Sequence, residues 1–498
     1  MRRALGALLT MLVVAAACTN STPSSRISPS GESPSASPAE KGKEKKNGKK
    51  GKDGKAQESP EPSPTTTVPE GEGGINKLDH LIFIVMENRS FDHYFGTYPG
   101  ADGIPNKVCV PHPVLKGKCT QPYHDTDTFD LGGPHSKPAS DTAVNKGKMN
   151  GFIAAAVKNA RQRCVVHPFL KNCGDRVGPQ GQPEVMGYHT RDEIPAYWEY
   201  ADQFVLQDRM FAPTDSWTLP AHLYLVSAWS AICRNHKKPM SCRGSVGGYG
   251  EKIEVPKGGK DTPYAWTDIT YLLHKFGVSW KYYVGPDGTC YGAACDKKKH
   301  QDTSTGFQNV LPGFLTVKEN KQRENIVPYS DYLDDAGAGE LPSVSWIMPA
   351  IGESEHPGHS NIVRGQEFVT SMVNAAMESP DWNSTAIFVV WDDWGGFYDH
   401  VKPPRIDAGG YGIRVPGLMI SPYAKKGYID SQTLTFDAYL KLIEDRFMGG
   451  QRLDPKTDGR PDPRPIVREE VDKLGDLRHE FDFDQEPRAP VIVEPPKG

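Results

Sequence analysis

After its first 17 residues the sequence contains no apolar stretch long enough to cross a membrane, which excludes an integral membrane bundle. It has no large excess of either charge: 58 Lys and Arg stand against 62 Asp and Glu, a formal net charge of −4. That balance gives no footprint for nucleic acid. No two cysteines sit at the two-residue interval of a zinc knuckle, and no internal repeat is present. What is present is a 498-residue chain, 37% hydrophobic, with 50 Gly and 43 Pro. Such a chain can build a large core and still carry long irregular segments.

The N-terminus reads as an export signal. Met1-Arg2-Arg3 is a positive start, and Ala4 to Ala17 form a short apolar run. Residues 14–18, VAAAC, resemble a bacterial lipoprotein cleavage site with Cys18 as the lipidated residue; an ordinary cut after Ala-x-Ala is the alternative. Residues 19–74 are almost free of apolar side chains and are expected to be a disordered tether. Its stretch KGKEKKNGKKGKDGK (41–55) could lie on an anionic surface or simply solubilise the linker. Setting aside the signal's +2 and the tether's +1 leaves −7 for residues 75–498. These features point to an exported protein, either held at the cell membrane through Cys18 or secreted.

Beyond Cys18 there are eight cysteines in four short sequential couples, which predict loop-clipping disulfides 109–119, 164–173, 233–242 and 290–295.

The folded part starts near Ile75. Residues 79–86, 343–348, 385–391 and 415–420 are apolar runs of strand length, and 191–201, 219–230, 265–275, 363–379 and 433–447 have helical spacing. Strands alternating with helices predict an α/β domain with a mainly parallel sheet, whose active site lies beyond the carboxyl ends of the strands. Residues 97–190 and 233–330 are expected to be insertions that roof the sheet. A Pro-rich, charged tail occupies 450–498 and either wraps the surface or stays mobile.

Two strands run straight into polar pairs, Glu87-Asn88 and Asp392-Asp393. Clustered carboxylates repel one another unless a cation or proton neutralises them, and oxygen-rich shells suit hard divalent ions. Asx turns are the alternative use of such residues. Thr218 precedes an expected helix and could be a metal-assisted nucleophile at the helix N-terminus, or only its cap; Ser216 is an equal candidate. His356, His359, His135 and His93 are candidate phosphate-binding or proton-transfer groups, and each could equally be incidental. The aromatic set Trp217, Trp394, Phe397 and Tyr398 could surround a lipid headgroup or belong to the core.

The segment HLIFIVMENRSFDHYFG (80–96) resembles the opening signature of the bacterial and plant phosphoesterase family that contains non-haemolytic phospholipases C and related acid phosphatases. The resemblance continues through LPSVSWIMP (341–349), ESEHPGHS (353–360), WDDWGGFYDHV (391–401) and GYGIRVPGLMISPYAKKGYID (410–430). It implies an alkaline-phosphatase-like three-layer α/β/α sandwich, with loop-rich cap insertions, spanning residues 75–449. It further implies a divalent metal of unspecified identity held by Glu87, Asn88, Asp392, Asp393 and Thr218, with Thr218 as nucleophile and His356 and His135 as further catalytic residues. The implied substrate is a phosphate ester: a phosphodiester lipid for a phospholipase C, or monoesters for an acid phosphatase. A surface protein without catalysis is the reading from another class. One more family histidine is expected in the central region, with His300 a weak candidate. The sequence departs from the family at Ala221-His222, where Asn-Arg is usual, and at Asp215-Ser216-Trp217.

Overall fold

The computed structural model describes residues 74–113, 116–157, 178, 181–256, 262–285 and 306–496. An eight-stranded sheet forms its centre. In chain order the strands are β1 (His80–Met86), β2 (Val205–Gln207), β3 (Trp280–Val284), β4 (Ile326–Pro328), β5 (Val344–Met348), β6 (Thr385–Trp391), β7 (Gly417–Ile420) and β8 (Tyr428–Asp430). Their spatial order is β4-β3-β5-β1-β6-β7-β2-β8. Every pairing is parallel except the two made by β7.

The central strands are buried throughout, because helices cover both faces of the sheet and each side chain must be apolar whichever way it points. Leu81 to Met86 and all of β6 are buried. Phe83 stacks on Phe388 of the neighbouring strand at 5.4 Å between ring centres. The covering helices include α1 (Pro195–Gln203), α2 (Thr218–Ser227), α3 (Thr270–Phe276), α4 (Ile362–Glu378) and α5 (Phe436–Phe447). Helix α2 packs on α5, and α4 on α1. All ten residues of α2 are buried, so this helix has no solvent face.

The expected α/β/α sandwich with a mainly parallel sheet is therefore present. One expectation needs correction: the stretch 233–330 is not only roof, because β3 and β4 lie in it and form one edge of the sheet. Their signal is weak because β4 has three residues and lies at the edge, while β3 mixes Lys281 with tyrosines. Within 97–190, short helices Lys137–Val144 and Phe152–Val157 build a cap with its own apolar cluster, to which Trp394 and Tyr398 contribute. Disulfides Cys109–Cys119 and Cys233–Cys242 clip loops as expected. The proposed links 164–173 and 290–295, Cys18 and the tether lie outside the described residues.

Among the described residues, 451–496 form no strand or α-helix but wrap the body through buried anchors, among them Leu474, Leu477, Phe481 and Val493. Arg468 is the main polar anchor of this segment. It donates to Pro213 O at 2.7 Å and Gly410 O at 2.9 Å, and it pairs with Asp407 at 2.8 Å.

Among the described residues no helix is long and apolar enough to cross a membrane.

Candidate metal and catalytic site

Strand register builds the site. Met86 pairs with Trp391 at the ends of β1 and β6, so Glu87-Asn88 and Asp392-Asp393 emerge side by side. Adjacent strands lie about 4.8 Å apart, close enough for their next side chains to share one ion. The two loops are then bonded together. Asp392 Oδ1 accepts from Asn88 N at 3.0 Å, Asn88 Nδ2 at 2.9 Å and Asp393 N at 2.8 Å. Asn88 reaches this geometry at φ +64°, a left-handed conformation that asparagine tolerates. Gly395 (φ +59°) passes so close that a Cβ there would lie 2.1 Å from Asn88 O.

One acceptor atom of each side chain remains without a hydrogen-bond partner: Glu87 Oε2, Asn88 Oδ1, Asp392 Oδ2 and Asp393 Oδ2, all buried. Buried acceptors are normally satisfied, and buried charges are paired or bind metals. The remaining Glu87 oxygen accepts from Gln308 Nε2 at 2.6 Å. Burial and the neighbouring Asp392 push the Glu87 carboxyl up to about 8. Burial, Asp392 and Glu87 likewise hold Asp393 well above the usual carboxylate range. Three carboxyl groups so placed call for a divalent cation, and the donor set of carboxylates plus one amide oxygen fits one.

Thr218 is the first residue of α2, and its Oγ1 lies 3.5 Å from Asn88 Nδ2. The cap position belongs to Trp217, whose side chain makes no capping bond, so the hydroxyl is not the cap. Ser216 is engaged elsewhere, donating to Val246 O at 2.7 Å. The threonine, and not the serine, thus sits at the carboxylate cluster.

His356 Nε2 lies 4.0 Å from Glu87 Oε2, and the His135 ring is 5.9 Å from that of His356. Each ring points its other nitrogen at a backbone carbonyl, Pro357 O at 2.8 Å and Gly133 O at 2.9 Å. Burial and the neighbouring His135 lower His356 to about 3; burial also lowers His135. His359 touches His356 but is exposed.

Sequence reasoning left one histidine unplaced, and His300 lies outside the described residues. The structure brings in His222, whose Nε2 is 3.8 Å from Asp392 Oδ2. Its signal was the four-residue step from Thr218, which puts both side chains on one helix face. Gln308 was also missed, since nothing local marks a glutamine in an insertion as a partner of a distant glutamate. The aromatic set divides: Trp394, Phe397 and Tyr398 are buried, Phe397 stacked on His93 at 3.8 Å, and only Trp217 is partly open.

Behind the site, His93, Asp130 and His189 place their ligand atoms within 4.8 Å of one another, all buried, a grouping able to hold a divalent ion. Arg89 already approaches the same Asp130 oxygen at 3.2 Å. Asp92, Asp399 and His400 form a second such group, where Arg414 bonds both carboxylates at 3.0 Å. An arginine on the carboxylates of each of these groups opposes a further cation, whereas at the cluster beside Thr218 Arg89 donates only to the backbone carbonyl of Asn88, at 3.4 Å, and not to the four partnerless side-chain oxygens.

The phosphoesterase family profile matches residues 78–448, and the chain belongs to that family. The non-haemolytic phospholipase C of Burkholderia pseudomallei is 29% identical over 434 residues, covering 75% of this chain and 56% of the relative. That of Pseudomonas aeruginosa is 25% identical over 422 residues, covering 75% and 54%. Phospholipase C A of Mycobacterium tuberculosis is 26% identical over 473 residues, covering 84% and 79%. The chain thus spans just over half the length of the first two. Among solved structures, a protein in the alkaline phosphatase superfamily from Vibrio parahaemolyticus gives a TM-score of 0.29 at 12% identity, covering 51% of this chain and 60% of that one. Family membership and the cation-demanding site together support a metal-dependent phosphoesterase.

Proposed function

We propose that this chain hydrolyses phosphate esters with Thr218 as nucleophile, and that its substrates are phosphodiester lipids cut in the manner of a phospholipase C. The observation that carries the reading is the position of Thr218 Oγ1 at the uncapped start of α2, beside Asn88 and the partnerless oxygens of Glu87, Asp392 and Asp393. Those residues would hold a divalent ion, which when bound lowers the pKa of the attacking hydroxyl and offsets charge on the phosphoryl oxygens. The N–H groups of Thr218 and Leu219 begin a helix without a side-chain cap, which favours an anion there.

In the first step Thr218 Oγ1 forms a bond to phosphorus, its proton passes to a neutral histidine Nε2, and the bond to the alcohol oxygen breaks. His135 and His356 suit this exchange, since each keeps one nitrogen on a carbonyl and has the other available. The same proton can go to the departing alcohol. Water then attacks the phosphothreonine, a histidine takes its proton, and Thr218 is released.

The names of the relatives favour phospholipid over monoester. An exported chain lipidated at Cys18, with residues 19–74 as tether, would reach headgroups at a membrane. The rival is an acid phosphatase, and it gains from the burial of Trp394, Phe397 and Tyr398, which leaves Trp217 as the one member of that set open to a substrate. Phosphatidylcholine and an aryl monophosphate assayed side by side with wild type and Thr218→Ala test both readings. A Thr218→Ala protein that binds metal but loses roughly 10³-fold or more in turnover supports the nucleophile. Unchanged turnover removes it, and activity on the monoester alone removes the lipid reading.

A further inference from the structure

His222 is buried in the first turns of α2 with 1% of its surface exposed. Its Nδ1 lies 2.7 Å from Phe307 O. A carbonyl oxygen only accepts, so this bond puts the ring proton on Nδ1 and leaves Nε2 with a bare lone pair. That lone pair faces Asp392 Oδ2 at 3.8 Å, and neither atom has a hydrogen-bond partner. Two lone pairs facing each other in a buried place repel, and a bridging proton would draw them to about 2.8 Å. Their actual separation is within a few tenths of an ångström of the roughly 3.4 Å between two ligands of a tetrahedral ion with bonds of about 2.05 Å. A ring nitrogen fixed by a bond from its other nitrogen to a backbone carbonyl is also how a ligating histidine is usually oriented.

We propose that His222 is a nitrogen ligand of the ion held by Glu87, Asn88, Asp392 and Asp393, and that it biases this site toward a borderline transition ion of the Zn²⁺ type over Ca²⁺ or Mg²⁺. The inference rests on the reading of that cluster as a metal site. Its chemical reason is donor type: carboxylate and amide oxygens alone suit hard ions, while imidazole adds a donor that Ca²⁺ and Mg²⁺ rarely use. The i, i+4 step on α2 is what allows one helix end to present both the hydroxyl of Thr218 and this nitrogen to the same ion.

The test is equilibrium binding of Zn²⁺, Mn²⁺ and Ca²⁺ to the full chain, as wild type, His222→Gln and His222→Asn, with pulsed EPR of the Mn²⁺-loaded proteins. Circular dichroism of the metal-free proteins reports folding. The expected result is a roughly tenfold or greater loss of Zn²⁺ affinity in His222→Gln, with Ca²⁺ affinity nearly unchanged because glutamine substitutes an oxygen donor. The EPR of wild type should carry a nitrogen coupling that the variant loses. Wild type without that coupling, a coupling retained in the variants, or Zn²⁺ affinity undiminished in both variants overturns the assignment of His222 while leaving the metal site standing. Wild type that binds none of the three ions overturns the metal site and His222 with it. If His222→Gln does not fold, His222→Asn and the wild-type spectrum still decide.

Discussion

Asn88 grips Asp392 twice, its backbone N–H at 3.0 Å and its side-chain Nδ2 at 2.9 Å both donating to Oδ1. This double bond of contacts turns the other carboxylate oxygen, Oδ2, inward and leaves it free for an ion. It also locks the loop after β1 to the loop after β6. Asn88→Asp removes the Nδ2 donor and sets a second carboxylate against the first. The expected result is a roughly 10- to 100-fold loss of divalent-ion affinity, read by equilibrium dialysis. Undiminished affinity would mean that the pair does not position the ion's ligands.

Glu87 gives the site a pH dependence of definite sign. Its carboxyl is raised in the folded state from about 4.5 to about 8, so its contribution to stability in the metal-free protein is complete below about 4.5 and is lost as pH rises through about 8. Metal-free Glu87→Gln should therefore melt with wild type at pH 4 and above it at pH 9. Divalent-ion affinity of wild type should rise with pH over the same window, because the ion must displace that proton. Thermal melts with and without chelator at the two pH values check both statements.

Gly395 holds the close approach between the two loops. Gly395→Ala would combine a strained positive φ with a Cβ 2.1 Å from Asn88 O, contact that only backbone movement relieves. Metal binding should be lost or cut roughly 100-fold. Gly337→Ala is the control: it lies inside the helix Ser330–Ala338 with no atom within 4 Å of the added Cβ. That variant should be as stable as wild type or up to about 1 kcal/mol more stable. Chemical denaturation curves for the pair decide.

Arg468 couples the C-terminal segment to the approach to Thr218, since its bond to Pro213 O steadies the stretch that leads into α2. It also lies 3.6 Å from buried Asp437. Arg468→Ala would leave Asp407 and Asp437 without their cation, at a cost of about 3–5 kcal/mol. Urea unfolding should show this loss. A stability unchanged from wild type would mean that the segment beyond Gly450 is not part of the folded unit.

The strands that carry the site were legible because a parallel sheet covered on both faces demands continuous apolar runs, and HLIFIVM and TAIFVVW have that pattern alone among their neighbours. Glu87-Asn88 and Asp392-Asp393 were legible because they follow those runs directly. Local pattern did not separate Thr218 from Ser216, which lie within three residues; the family resemblance favoured Thr218, and the fold sends Ser216 to Val246 O and Thr218 to Asn88. Gln308 was opaque, since it meets a glutamate from a different element, whereas His222 carried only the four-residue step from Thr218 and meets Asp392 through the fold. The edge strands β3 and β4 were missed because short, half-polar strands carry little periodic signal.

By itself the sequence determined which segments must be buried and which residue types end them, because hydrophobic period and chain length act locally. Tertiary structure alone decided which of the nearby hydroxyls, histidines and amides converge. Convergence depends on the register of β1 with β6 and on the start of α2 lying beside the loops that follow them, relations between atoms more than a hundred residues apart that no local pattern encodes.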